Sequence, residues 1–250
     1  MEGGRIFSVQ SDAYASSRPH YPAELFAWIA SQCKRREAAW DCATGNGQAA
    51  LKLAQHFDWV EATDFSPEQI EHAFAADNVS YSVQPAEQTD FPSASFDLVT
   101  VAQALHWFDF DAFWPEVRRT AKPTAFFCAW GYAWFDCDSE LDAALFTPVL
   151  RILEPFWAGE NAIMWRGYRS EEISFPFRRV EAPSFAIGLN WNIEEILCHV
   201  HTWSAYKSAM AEPQAARDLV AVEAHALSRF RSSGPLQLRT PLIIAAGPVS

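Results

Sequence analysis

The stretch Asp41-Cys42-Ala43-Thr44-Gly45-Asn46-Gly47 carries the strongest chemical signal in this chain. A glycine-rich turn between a strand and a helix lets a ligand approach the backbone closely. The start of the following helix offers free N–H groups and the positive end of a dipole. Asp64 stands 17 residues beyond Gly47, where a carboxylate suits the two hydroxyls of a ribose. Asp41 precedes the glycines. A negative charge there is unwelcome beside a pyrophosphate and suits a ligand that carries an ammonium. These residues together describe a site for an adenosine-type ligand without phosphate. The plain alternative is a tight turn followed by a solvated acid.

Few other residues look reactive. His106 is the first candidate for a base or a substrate contact, and it also suits a cap for the turn that follows it. His20 and His201 read as structural or solvated, and Asp97 as a structural strand acid. Arg166 and Arg169 could pair with a substrate carboxylate but read more simply as surface arginines. Cys42 and Cys128 fall in expected central strands, where they act as small apolar residues.

The elements that must position these residues follow from periodicity. Short apolar runs at Ala38–Cys42, Trp59–Thr63, Val79–Val83, Phe96–Ala102 and Thr124–Trp130 predict five strands. Helices are predicted between them over Gln48–Phe57, from Ser66-Pro67-Glu68-Gln69 onward, and over Asp111–Ala121. Ser66 can cap, Pro67 suits the first helical position, and Gln69 completes a capping box. Strand and helix alternating in this way predict an α/β fold, a parallel sheet covered by helices on both faces. Beyond Gly131 the pattern loosens. Helices are expected over Glu140–Trp157, after Asn192 (a cap with Glu195 three residues on) and over Gln214–Arg231, with strands at Phe185–Leu189 and Leu242–Ala246. Eight of the 11 tryptophans follow residue 100, which reads as core packing or as the lining of an apolar substrate pocket.

Composition sets outer bounds. At 250 residues the chain is long enough for one large domain or for a domain with an added cap. Half the residues are apolar and 20% are charged, a globular balance that excludes a mainly disordered chain, a collagen and a coiled coil. A net charge of −12 repels phosphate backbones and anionic bilayers, so neither nucleic acid nor membrane is expected as a partner. The 5 cysteines are odd in number and widely spaced, with no CxxC pair. That argues against a disulfide framework or a zinc site, so no metal is expected. The N-terminus lacks the basic and apolar regions of a signal peptide, and a cytoplasmic location is expected.

The ordered set of motifs resembles class I S-adenosylmethionine-dependent methyltransferases, most closely the small-molecule branch that includes trans-aconitate methyltransferase. It runs through Tyr14-x-x-x-Arg18-Pro19-x-Tyr21-Pro22, Asp41-x-Ala43-x-Gly45-x-Gly47 and Thr63-Asp64-Phe65-Ser66. It continues through Pro85-Ala86-Glu87-Gln88-x-x-Phe91-Pro92, Ser95-Phe96-Asp97-Leu98-Val99 and Ala104-Leu105-His106-Trp107. The resemblance is strong over residues 7–130 and weaker over 185–247. S-adenosylmethionine carries an adenosine, an ammonium and a carboxylate but no phosphate, as the loop chemistry asks.

The resemblance implies roles. The backbone at Ala43, Thr44 and Gly45, beside Asp41 and Gly47, should hold the methionine part of S-adenosyl-L-methionine. Asp64 should bind the ribose and Phe65 pack on the adenine, edged by Ala86 and Glu87. Ala102 and Gln103 should lie beneath the sulfonium. Tyr14 and Arg18, in a segment 7–22 stiffened by Pro19 and Pro22, should fold over the cofactor. The sequence departs from the pattern at three points. Ala43 replaces a first glycine, Gln48-Ala49 follows Gly47, and Pro85 stands where many relatives have an acid.

The implied fold is a Rossmann-like, doubly wound sheet of seven strands, mostly parallel, with an antiparallel last strand and a small helical cap. Residues 1–130 and 233–250 should form the core and residues 131–232 the cap, substrate region and sixth strand. The implied activity is in-line methyl transfer to a small molecule, at a hydroxyl or carboxylate oxygen. Two other readings stay open: a non-catalytic protein that binds S-adenosylmethionine or S-adenosylhomocysteine for regulation, and an NAD-dependent oxidoreductase on a similar sheet.

Overall fold

The computed structural model describes residues 19–249. Tyr14 and Arg18 lie outside the described residues. The chain divides into two units, one holding Tyr21–Ala133, Glu160–Ala186 and the chain end from Pro241, the other Trp134–Gly159 and Ile187–Thr240.

The first unit is built on a six-stranded sheet. Helix α1 (Ala23–Gln32) buries Leu25, Phe26, Ile29 and Ala30 on one face. It leads to β1 (Ala38–Cys42), α2 (Gln48–Leu53), β2 (Trp59–Asp64), α3 (Pro67–Glu71), β3 (Val79–Val83) and β4 (Phe96–Ala102). A 3-10 turn (Leu105–Trp107), α4 (Phe110–Thr120) and β5 (Ala121–Gly131) follow. β6 (Ala186–Trp191) and β7 (Leu236–Pro241) come next among the strands, and the last strand is β8 (Ile243–Pro248). The sheet order is β3-β2-β1-β4-β5-β8, with the first five strands parallel and β8 antiparallel to β5. The mostly parallel sheet with its reversed last strand is therefore as expected.

The order reverses between β1 and β4. Chains leaving β1 go one way and chains leaving β4 the other, which opens a crevice outside the strand C-termini. β1 and β4 are almost wholly buried and mostly apolar, as central parallel strands are, apart from Asp41, Asp97 and Thr100. Ser66 caps α3 through the Gln69 amide, with Pro67 at the first position, as its sequence predicts, but Gln69 does not complete the box, because the Ser66 amide goes to Asp64 Oδ1.

Three further local features differ from expectation. The sheet has six strands among the described residues, not seven. The expected sixth strand is present as β6 (Ala186–Trp191) but pairs with β7 (Leu236–Pro241) in a separate two-stranded sheet. β5 begins earlier than expected because Ala121 pairs with Phe96 and the register then shifts. Pro123 sits in that irregularity, where a missing N–H does no harm. The helix expected over Glu140–Trp157 is broken into Ser139–Leu141, a π turn at Asp142–Phe146, α5 (Thr147–Leu153) and a 3-10 turn at Glu154–Phe156. Pro148 cannot donate to the Ala144 carbonyl, and Pro155 ends the run.

After the short α6 (Asn161–Trp165) of the sheet unit and β6, the second unit continues with α7 (Ile193–Val200), α8 (Ser204–Ala209) and α9 (Pro213–Phe230). Asn192 and Glu195 form the expected capping box on α7. The core of this unit gathers Leu145, Leu153, Ile196, Leu219 and Phe230. Trp134, Trp157 and Trp203 pack on one another with ring centroids 5.7–6.0 Å apart. His201 and the Tyr206 hydroxyl both bond Glu223 Oε1, a structural role for that histidine. Among the described residues no helix is long and apolar enough to cross a membrane.

Asp97 fastens the base of the sheet. It is buried, and its Oδ2 accepts from the amides of Glu37 and Ala38 at 3.0 and 3.1 Å and from Lys122 Nζ at 3.0 Å. The starts of β1, β4 and β5 thus share one carboxylate. Asp97→Ala leaves the Glu37 and Ala38 amides without an acceptor, while Lys122 keeps Glu37 at 2.7 Å, and should cost about 3 kcal/mol. The expected result is a lower urea midpoint with an unchanged slope.

Candidate functional site

The loop after β1 is held by short, local bonds. The Thr44 amide donates to the Thr63 carbonyl at 2.9 Å, and the Gly47 amide to the Thr44 carbonyl at 3.0 Å. Ala43 and Gly45 both take left-handed φ values, 53° and 58°. Ala43 thus holds a left-handed conformation that glycine adopts more readily, at a strain of about 1 kcal/mol. Gly47 caps α2 with φ 87°, and a Cβ there would collide with the Tyr81 hydroxyl. Both the conformation and the space at 47 therefore require glycine. Tyr81 is a site residue that the sequence did not reveal. Its hydroxyl donates to the Phe74 carbonyl, 2.8 Å away.

Asp64 joins the ends of three strands. Its Oδ2 accepts from the Gly45 amide and its Oδ1 from the Ser66 amide, both at 2.9 Å. Its own carbonyl accepts from the Gln84 amide beyond β3, at 3.0 Å. Each carboxylate oxygen keeps a lone pair beyond these bonds, so a diol can still be received. Phe65 next to it is 79% exposed, an apolar ring left open to solvent. Val83, at the end of β3, is exposed as well.

Asp41 is fully buried. Thr44 Oγ1 donates to it at 2.6 Å and Thr100 Oγ1 at 2.9 Å. No local signal in the sequence marks Thr100. It lies opposite Asp41 in the β1–β4 register, which only strand pairing reveals. Burial pushes the Asp41 carboxyl up to about 6, helped by the charge of Asp64 and opposed by both threonines and the Ala50 amide. Two carboxylates therefore sit at the glycine loop.

The remaining expected residues occupy the neighbouring strand ends. Ala86 is buried, and Glu87 accepts from the Asp109 amide at 3.2 Å. Ala102 ends β4. Gln103, with φ 59°, exchanges two hydrogen bonds of 3.2 Å with the backbone of Tyr132, so its amide is fixed. His106 is buried in the 3-10 turn with Nδ1 3.0 Å from the Tyr168 hydroxyl. Burial lowers its pKa to about 4, with Glu160 acting in the opposite sense. At neutral pH it is an uncharged imidazole. Arg166 pairs with Glu172 at 2.5 Å, and Arg169 and His20 are exposed. Burial raises the Cys42 and Cys128 thiols, so both stay protonated and inert.

Asp41 also makes a pH prediction. The folded chain keeps a proton up to about pH 6 that the unfolded chain releases near pH 4. The stability this confers is present below about pH 4 and lost as pH rises through 6. Asp41→Asn mimics the protonated acid. It should gain about 2 kcal/mol over the parent at pH 7.5 and match it at pH 4, as read by thermal melts at both values.

Comparison with known proteins supports the geometry. Residues 40–129 match the family model described as a methyltransferase domain, which covers β1 through β5. A protein of Dictyostelium discoideum, provisionally named a methyltransferase, is 32% identical over 204 residues, covering 80% of this chain and 77% of its own. A solved structure from Anaeromyxobacter dehalogenans, described provisionally as a type II methyltransferase, is 37% identical with a TM-score of 0.84. It covers 93% of this chain and 98% of its own. A further solved structure, from Bacillus halodurans, has a TM-score of 0.52 at 18% identity over 91% of this chain and 98% of its own, a likeness of fold alone. With such identity over most of both chains, and with the carboxylate-flanked glycine loop in place, this chain belongs to the class I S-adenosylmethionine-dependent methyltransferase-domain family.

Proposed function

We propose that this protein binds S-adenosylmethionine and transfers its methyl group to an oxygen, hydroxyl or carboxylate, of a small molecule. On the motifs quoted above, we place it beside the trans-aconitate methyltransferase-like branch. The observation that carries the cofactor assignment is the pair Asp41 and Asp64 at one glycine loop. Two negative groups favour a ligand with a sulfonium and an ammonium and oppose a pyrophosphate. The open lone pairs of Asp64 and the exposed ring of Phe65 fit a ribose and an adenine. The residues present therefore suit the cofactor.

The cofactor, when bound, supplies an already activated methyl group. The protein then has to hold an acceptor atom in line, about 3 Å from the methyl carbon, and keep water out. Asp64 orients the ribose end. The backbone of Ala43, Thr44 and Gly45 holds the methionine end, and Asp41 fixes that loop through Thr44. Gln103, latched to Tyr132, forms a rigid floor beyond Ala102. Ala86 and Glu87 edge the adenine, and Tyr14 and Arg18 complete the binding set. Residues 131–232 are proposed to select the acceptor. The net charge of −12 supports a small acceptor over nucleic acid or membrane. The five cysteines, all free thiols, support a reducing cytoplasmic setting.

Calorimetric titration with S-adenosylmethionine and with NAD separates the cofactor readings. Saturable binding of the first alone is expected, and binding of NAD alone overturns the proposal. Asp64→Ala should weaken S-adenosylmethionine about tenfold or more, since a hydrogen bond to a charged acceptor is worth about 1.5–3 kcal/mol. An unchanged dissociation constant in the folded variant removes Asp64 from the ribose role. Transfer of labelled methyl into a metabolite extract, with RNA and protein fractions run alongside, tests the small-molecule assignment. Binding without any transfer supports the regulatory reading instead.

A further inference from the structure

The best-defined polar contact next to β4 that the cofactor does not explain joins His106 to Tyr168. Tyr168 has no solvent exposure and sits in the apolar core of the sheet unit with Leu105, Met164 and Ile173. A buried hydroxyl almost always has a hydrogen-bond partner, and one that only accepted here would leave its own O–H unsatisfied in the core. Among the described residues, the one hydrogen-bonding partner of the Tyr168 hydroxyl is His106 Nδ1, at 3.0 Å. Burial also raises the pKa of the phenol, so it keeps its proton.

A neutral imidazole has one donor nitrogen and one acceptor nitrogen. If Tyr168 donates to Nδ1, the hydrogen of the ring is on Nε2. Charging the ring would put a second hydrogen on Nδ1 and strand the phenol proton in an apolar core. That is consistent with the depressed pKa of this histidine.

The backbone makes Tyr168 a fixed point. It follows Gly167 at the end of α6 and takes a left-handed φ of 48°. Its amide donates to the Ile163 carbonyl at 3.1 Å. Arg179 donates to the Tyr168 carbonyl at 2.6 Å and to the Ile244 carbonyl of β8 at 2.9 Å. The hydroxyl is therefore held from the sheet edge through Arg179. The receiving turn follows directly on β4, whose end borders the switch point with β1. Among the described residues His106 Nε2 has no protein partner, and the adjoining Trp107 is 51% exposed.

We infer that Tyr168 is a positioning residue that locks His106 as an Nε2–H donor, and that His106 holds an oxygen of the methyl acceptor instead of removing its proton. The inference rests on the methyltransferase reading. The lone pair a base would need is on Nδ1 and is already taken, inside the core. The acceptor must then arrive with its nucleophilic lone pair free, or lose its proton to water.

Nitrogen-15 NMR of histidine-labelled full-length protein tests the lock without any substrate. The parent should show His106 in the Nε2–H form, and Tyr168→Phe should show a mixture of both forms. A hydrogen on Nδ1 in the parent, or no change in the variant, overturns the lock. Labelled-methyl transfer then tests the role. His106→Leu should lower kcat/KM up to about tenfold, mainly through KM, the scale of one hydrogen bond. His106→Gln, which can donate but not act as a base, should recover most of that loss. A fall of 10²–10⁴ in kcat for both variants is the signature of a lost general base and overturns the proposal. Calorimetry with S-adenosylhomocysteine separates the failures. If the parent does not bind it, the methyltransferase reading fails while the NMR result on the imidazole still stands.

Discussion

The shared use of the Asp64 carboxylate is the constraint on which the site depends. One oxygen takes the Gly45 amide from the loop after β1, and the other takes the Ser66 amide that opens α3. The carbonyl of the same residue takes the Gln84 amide beyond β3. Three loops that leave neighbouring parallel strands are thereby held to a common point. Without it, the left-handed turns at Ala43 and Gly45 would be free to relax. The group that organises the loop is also the group with lone pairs to spare for a diol. In the proposed ribose role, scaffold and ligand contact would be one carboxylate, with the acceptor already oriented.

Asp41 extends the same economy at a cost. A fully buried carboxylate is disfavoured as an anion, and its raised pKa measures that penalty. Two threonine hydroxyls, Thr44 and Thr100, compensate in part. The burial places negative potential under a glycine loop that would otherwise welcome phosphate. Charge, more than shape, therefore separates this loop from a dinucleotide site. Another buried acid, Asp97, stands at the opposite end of β4, where two amides and Lys122 bond it. Residues of one type at the two ends of the sheet thus do different work, and burial with its local partners decides which.

His106 shows how far a structural partner limits a reactive side chain. A histidine close after a strand that ends at a ligand crevice reads from sequence as a candidate base. Tyr168, 62 residues further along, sets which nitrogen can accept. Arg179 fixes the Tyr168 backbone in turn, and Ile244 of the antiparallel last strand anchors Arg179. The reversed strand therefore contributes beyond completing the sheet.

The sequence by itself determined the alternation of strands and helices, the parallel sense of the core and the identity of the glycine loop with Asp64. Those signals are local. Apolar periods of two and of 3.6, a cap with its proline, and left-handed turn residues each act within a few positions. It also determined the family, because the motifs recur in a fixed order. Tertiary structure alone decided which residues meet across strands. Thr100 faces Asp41, and Tyr81 fills the space beside Gly47, through a pairing register that no single segment encodes. It decided that β6 would leave the main sheet for β7, and that prolines would divide the helical run at 139–156. It decided the protonation states as well. The pKa values of Asp41 and His106 are set by burial and by partners distant in sequence, and burial is a property of the packed whole.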